Sequence, residues 1–272
     1  MDIVNLVQPK MSSFLRKKLD ILLKISYFCR MKVAEQIRKT IENIPESQPF
    51  GYADLNIEPV NFVTAAKALE RLKKKGIIEK VSKGIFYKPK MTIMGSLGPD
   101  YDALLKRFLF KDGKRVGYIT GGELYNQLNL TTQNYFRTKI ATNISRKKIE
   151  KGWLKTSTVK AYTEITEDNY QLLGILDALK DIRYISDTST SQAIKILAGK
   201  LVNFSKPNIN TLIKLSMEYP PRVRALLGAI VQEKFTTDFD LSDLKGSLNP
   251  TTIFKLNIKE ADWPTIKNWQ IK

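Results

Sequence analysis

Histidine is absent from the 272 residues, and there is a single cysteine, Cys29. These shortages exclude a zinc finger, a His-based triad and a Cys–His nucleophile. One cysteine cannot close an internal disulfide, so a reducing, cytoplasmic setting is the expectation. Long apolar runs are also lacking: none approaches the ~20 residues that a membrane helix needs. Repeats and low-complexity tracts are missing as well. Acidic residues are in short supply, 27 against 45 Lys plus Arg, for a formal charge of +18.

That excess is unevenly placed. Residues 1–30 hold 6 basic and 2 acidic side chains, 31–90 hold 12 and 7, and 91–160 hold 13 and 5. Residues 161–272 are almost balanced at 14 and 13. A charge concentrated in one part of a chain is the footprint expected of a part that meets a polyanion. The length suits two domains, each with its own core.

Residues 31–90 carry the clearest pattern. Val33, Ile37, Ile41 and Ile44 recur at helical spacing, and Pro45 and Pro49 end that helix. Phe50 to Leu55 is long enough for one short helical turn. Pro59 suits the opening of a third helix, with Phe62, Ala65, Leu69 and Leu72 on one face and Thr64, Lys67, Arg71 and Lys74 on another. Gly76 is placed to cap it. Ile77 to Val81 and Ile85 to Tyr87 then read as strands joined at Ser82, Lys83 and Gly84. Helix, short helix, basic helix and hairpin make a winged helix-turn-helix, an order that points to duplex DNA. Asn61, Thr64 and Lys67 are the candidates for base edges; Arg71, Lys74, Lys75, Lys80, Lys83 and Lys88 are the candidates for phosphates. The alternative for the lysines at the helix end is simple solvation of a helix dipole.

Two readings stand for residues 1–30. One is an amphipathic helix, Phe14 to Tyr27, with Leu15, Leu19, Leu22 and Ile25 packed on the first domain. The other is an upstream stretch ahead of a natural start at Met31. Met91 to Pro99 reads as a linker, and 100–235 as the second domain.

In that second domain Tyr101, Leu104, Leu105 and Phe108 form a helical stripe, Val116 to Ile119 a strand, and Thr120 an N-cap for a helix reaching Leu128. Gln133 to Thr142 alternates as a half-buried strand, and Thr156 to Tyr162 suggests another. Helices follow at 169–181, 189–203 and 208–218, with a fourth after Pro220-Pro221 to Gln232. Residues 236–272 look like a tail, with short strands at Phe254–Ile258 and near Trp269. The fold class is therefore α+β: the winged helix, then a mixed domain with a small sheet and a C-terminal helical layer.

Other motifs admit plainer accounts. Gly121-Gly122 lacks the spacing of a phosphate loop and fits close packing of a strand-to-helix turn better. The segment from Arg137 to Lys160 sets eight basic residues against Glu150, with Tyr135, Phe136 and Trp153 nearby. Arg137, Lys139, Arg146, Lys147, Lys148 and Lys151 form a second basic patch that suits nucleic acid, or equally a lysine-protected strand edge. Metal-bound carboxylates would have to come from Glu164, Asp177, Asp181 or Asp187. Surface pairing of Asp177 and Asp181 with Lys180 and Arg183 is the plainer account. No catalytic residue, metal or cofactor is therefore expected.

Several segments together resemble the AbiEi family of antitoxins from type IV toxin–antitoxin systems. They are 69–76 and 83–89 in the winged helix, Gly117-Tyr118-Ile119-Thr120-Gly121-Gly122, Leu128-Asn129-Leu130-Thr131-Thr132-Gln133, and Tyr219-Pro220-Pro221-Arg222 with its continuation to Gly228. The likeness covers roughly residues 31–235. It implies a winged helix that binds its own promoter as a repressor, and a second domain that counters a nucleotidyltransferase-like toxin, with or without a stable complex. Residues 1–30 and the chain after Phe235 have no counterpart in that likeness. The alternatives are a winged helix that binds protein or RNA, and a metal-dependent nuclease.

Overall fold

The computed structural model describes residues 13–144, 148–151, 154–235 and 238–272. It combines helices with small sheets and divides into two compact units, Met1–Leu104 and Leu105–Lys272.

The first unit begins with α1 (Ser13–Asn43), one continuous helix that joins the stretch Phe14 to Tyr27, for which two readings stood open, to the helix expected from Val33. Nothing from Phe28 to Lys32 interrupts it, since neither proline nor glycine occurs there. Leu19 and Leu22 do not pack on the domain: they are 47% and 58% exposed. At ~1.5 Å per residue an unbroken helix carries Leu19 about 27 Å along the axis from Ile37. Among the described side chains of α1, Ile37 and Ile41 are buried in the core and Val33 and Ala34 pack against it, while the side chains of Leu15 and Ile25 lie outside the described residues.

Past Pro45 the chain enters β1 (Pro49–Gly51), and a 3₁₀ turn follows at Tyr52–Leu55. The expected short helical turn thus gives up its first residues to a strand. β1 pairs antiparallel with β3 (Ile85–Tyr87), matching Phe50 to Phe86, and β3 pairs with β2 (Glu79–Ser82). The result is a three-stranded sheet in the order β1-β3-β2. Pro49 is tolerated because β1 lies at the edge.

α2 (Phe62–Lys74) buries Ala65, Ala68, Leu69 and Leu72 against α1 and this sheet. Phe62 is exposed and meets Tyr52 edge-on at 5.8 Å, so Ala68 holds the core position that Phe62 was expected to share. Residues 91–99 are not a plain linker. β4 (Lys90–Thr92) and β5 (Gly95–Leu97) form a hairpin.

The division between the units falls within α3 (Tyr101–Leu109), whose Leu104, Leu105 and Phe108 are buried. A tight hairpin of β6 (Phe110–Lys111) and β7 (Lys114–Arg115) turns at Asp112 and Gly113, both at positive φ. The main sheet has the order β10-β11-β9-β8, with β8 (Gly117–Thr120), β9 (Thr138–Thr142), β10 (Lys148–Lys151) and β11 (Leu154–Lys160). β9 and β11 run parallel; the outer pairings are antiparallel.

The expected strand from Gln133 is shorter than its alternation, because Gln133 to Arg137 lie outside the ladder. Thr120 is not an N-cap. Gly121, at φ +72, caps α4 (Gly122–Gln127), and Thr120 ends the strand. A Cβ on Gly122 would stand inside the Tyr135 ring, so this turn needs glycine for close packing.

The helical layer comprises α5 (Tyr170–Asp181), α6 (Thr190–Val202), α7 (Lys206–Ser216) and α8 (Pro221–Phe235). α6 and α7 start at Ser189 and Ser205, whose hydroxyls accept the N–H of Gln192 and Asn208.

The chain beyond Phe235 is no tail. After α9 (Ser242–Gly246), Leu256, Ile258, Trp263, Ile266, Trp269 and Ile271 join the same buried cluster as α5 and α8. Gly228 in the middle of α8 makes room, since a Cβ there would collide with the Trp269 ring. Trp269 Nε1 donates to Gln232 Oε1 at 2.7 Å, and Thr265 Oγ1 donates to the Ala229 carbonyl at 2.8 Å. In place of two strands, one bridge joins Phe254 to Ile271, and a 3₁₀ segment spans Pro264–Trp269.

Candidate nucleic-acid interface

Burying the alanine–leucine face of α2 fixes how the helix is rotated. Lys67, Arg71 and Lys74, at i, i+4 and i+7, consequently form one exposed stripe. Lys75 is exposed beside them. Thr64 and Asn61, at the start of the helix, are half-buried. Glu70 faces Lys73 at 3.2 Å rather than the stripe, and among the described residues no ion pair involves Lys67, Arg71 or Lys74.

The helix closes with Gly76 at φ +73, where the N–H of Gly76 reaches the Lys73 carbonyl and that of Ile77 the Leu72 carbonyl. This double bond is the Schellman arrangement, and glycine enters its left-handed position without a Cβ penalty. It turns the chain straight into β2, so Lys80 and Lys83 stand exposed on the following strand and turn. Lys88 departs from the set. Its Nζ donates to the Glu42 carbonyl at 3.1 Å, closing the end of α1 whose last carbonyls lack helical partners.

A different polar centre lies in the second unit. Asp177 is 2% exposed, so surface pairing does not describe it. Its Oδ2 accepts hydroxyls from Tyr118 at 2.9 Å and Thr120 at 2.6 Å; its Oδ1 accepts Lys180 Nζ at 3.1 Å and the Tyr219 hydroxyl at 3.3 Å. Four donors saturate the carboxylate's four acceptor sites and leave no lone pair for a metal.

Asp181 accepts the Tyr125 hydroxyl at 2.7 Å, and Arg222 rather than Arg183 reaches this helix end, donating to the Lys180 carbonyl at 2.7 Å. Burial, reinforced by Asp177, pushes the Tyr118 and Tyr219 hydroxyls far up; burial and the bond to Asp181 do the same for Tyr125. For Lys180 burial acts downward, but Asp177 and Asp181 outweigh it and hold the ammonium above its usual range.

The segments Gly117–Thr120 and Tyr219–Arg222 therefore converge on the end of α5. A parallel case is Asp187, whose carboxylate gathers Thr131, Thr132 and Gln133 at 3.1–3.3 Å.

The second basic patch is only partly assembled. Lys139 is exposed on β9, whereas Arg137 is half-buried just before it. Lys148 and Lys151 fall on the edge strand β10, and Arg146 and Lys147 lie outside the described residues. Sequence reading missed the partners of Lys139. With Lys160, Lys180 and Tyr162 it borders a cavity of about 530 Å³. Tyr162 stacks on Tyr219 at 4.3 Å, and Lys180 sits 5.3 Å above its ring. The spacing of 139 and 160 gave no hint of this, because a parallel pairing of β9 and β11 brings them together.

Residues 36–203 match the family described as a family of unknown function, DUF6088. The match spans more than half of the chain, and the protein belongs to that family. It takes in most of the first unit and, in the second, the sheet with α5 and α6. No curated protein matches the chain.

Proposed function

We propose that the first unit is a winged helix-turn-helix that binds duplex DNA, and that the protein is a transcriptional regulator of the AbiEi-antitoxin type. The carrying observation is the exposed stripe Lys67–Arg71–Lys74 on a helix whose other face is locked into a core, with Lys80 and Lys83 on the adjoining hairpin. In this reading α2 enters the major groove, Asn61, Thr64 and Lys67 meet base edges, and the remaining cations hold phosphates. Repression follows from occupying a promoter that polymerase needs. The second unit carries the antitoxin role against a nucleotidyltransferase-like toxin. The packed helices of 169–235, in the nearly charge-balanced part of the chain beyond residue 160, suit a scaffold role, while the basic residues of that unit are concentrated before residue 161.

The test for DNA is a mobility shift with the chain's own upstream sequence against random duplex at physiological salt. Preference for the former is expected, and Lys74→Ala or Lys83→Ala should weaken binding to every sequence and lower the salt slope by about one. Equal binding to both duplexes refutes the repressor reading. For the antitoxin role, co-expression with the toxin is the test. The Lys67→Ala/Arg71→Ala chain should rescue growth as well as the parent does, and loss of rescue overturns the division of labour.

A further inference from the structure

The hairpin of β4 and β5 exposes its hydrophobic residues where a soluble turn would place polar ones. Thr92 pairs with Gly95, so Ile93 and Met94 are the two connecting residues at the tip. Asn-Gly and similar pairs are the usual occupants of such turns. Ile93 is 106% exposed and Met94 100%, so both side chains project wholly into solvent.

The tip is nevertheless held in shape. Thr92 Oγ1 donates to the Gly95 carbonyl at 2.8 Å, and Gly95 takes φ +108, a value side chains rarely adopt. The base is held too: Glu79 Oε1 accepts the Ser96 hydroxyl at 3.3 Å while Oε2 accepts that of Tyr87 at 2.9 Å, tying the hairpin to β2 and β3. Charge gives the occupant. Residues 79–100 set four lysines against Glu79 and Asp100, with Glu79 engaged by two hydroxyls, a basic balance that suits a polyanion and disfavours pairing with a second copy of the same ribbon.

We propose that this hairpin is an intercalating wedge: Ile93 and Met94 enter the minor groove of the bound duplex, part a base step and kink it. The proposal rests on the DNA-binding reading above. Isoleucine and methionine are among the side chains that architectural proteins insert in this way, bending DNA by roughly 20–90°. A minor groove about 6 Å wide excludes a whole β-ribbon but admits the side chains of a two-residue tip. Lys90, exposed at the base of the hairpin, would hold a flanking phosphate. Selectivity then includes a preference for flexible pyrimidine–purine steps, which cost least to unstack.

The experiment compares the full chain with the Ile93→Ser/Met94→Ser variant on a duplex carrying 2-aminopurine at successive steps and a donor–acceptor dye pair at its ends. Wild type should raise 2-aminopurine fluorescence at one step and shorten the end-to-end distance. The variant should do neither and bind about tenfold more weakly, with an unchanged salt slope because no cation is lost. Both residues are exposed, so an unchanged melting temperature will verify the variant's fold. If wild type binds no duplex, the DNA reading falls and the wedge with it. If wild type binds without unstacking or bending, or the variant binds and bends as wild type does, only the wedge falls. A drop in sedimentation mass caused by the substitution would assign the tip to self-association and likewise overturn the wedge.

Discussion

α2 and α5 are nearly equal in length, 13 and 12 residues, and both end among lysines and carboxylates, yet they use them in opposite ways. On α2 the cations face solvent and the buried face is entirely apolar. On α5 the carboxylate of Asp177 is inside, saturated by three hydroxyls and Lys180, and binds the sheet to the helical layer. The charges of α2 are therefore available to an external partner at almost no structural cost. Those of α5 specify how the second unit packs.

The contrast is sharpest in the response to losing one charged group. Asp177→Ala should lower the stability of the second unit by about 3–5 kcal/mol, because it strands a half-buried ammonium and three buried hydroxyls together. A melt followed by near-ultraviolet circular dichroism would measure this. A loss below about 1 kcal/mol would show that the network is dispensable.

Alkaline pH probes the same network without mutation. Tyr118, Tyr125, Tyr219 and Lys180 all have folded values above their ordinary ones. A raised folded pKa means that the native state keeps protons the unfolded chain releases. Their stabilisation is complete below the unfolded values near pH 10 and is lost as pH rises beyond them. Urea unfolding should therefore show the second unit weakening above about pH 10, and tyrosine absorbance should rise with unfolding, not ahead of it. Free ionisation of all eleven tyrosines in a still-folded chain would contradict the cage.

Gly228→Ala tests whether the C-terminal segment belongs to this core. Overpacking against Trp269 should destabilise by about 1–3 kcal/mol and shift Trp emission to longer wavelength. Ala tolerated with no spectral change would detach the segment from α8.

The smallest structural effect is expected on α2. Lys67→Ala/Arg71→Ala should leave thermal stability within about 0.5 kcal/mol per site, as exposed substitutions generally do. On the proposed DNA-binding reading, affinity for duplex and its salt dependence should fall all the same. A large loss of stability here would erase the comparison.

The sequence by itself determined what local periodicity and turn chemistry can encode. The helices of the second unit, the β2–β3 turn at Gly84 and the cap at Gly76 follow from apolar spacing, proline and glycine, which act within a few residues. The stripe of α2 was readable for the same reason, since helix geometry alone sets which side chains share a face. Tertiary structure decided everything that depends on residues far apart in the chain. β1 becomes a strand only because β3 offers it a partner, and Lys88 is drawn to the end of α1. The segment after Phe235 is buried because Gly228 leaves space for Trp269. Asp177 looked like half of an ordinary i, i+3 ion pair with Lys180. It is a buried centre because β8 and the start of α8, 57 and 42 residues away, supply the hydroxyls that offset its desolvation.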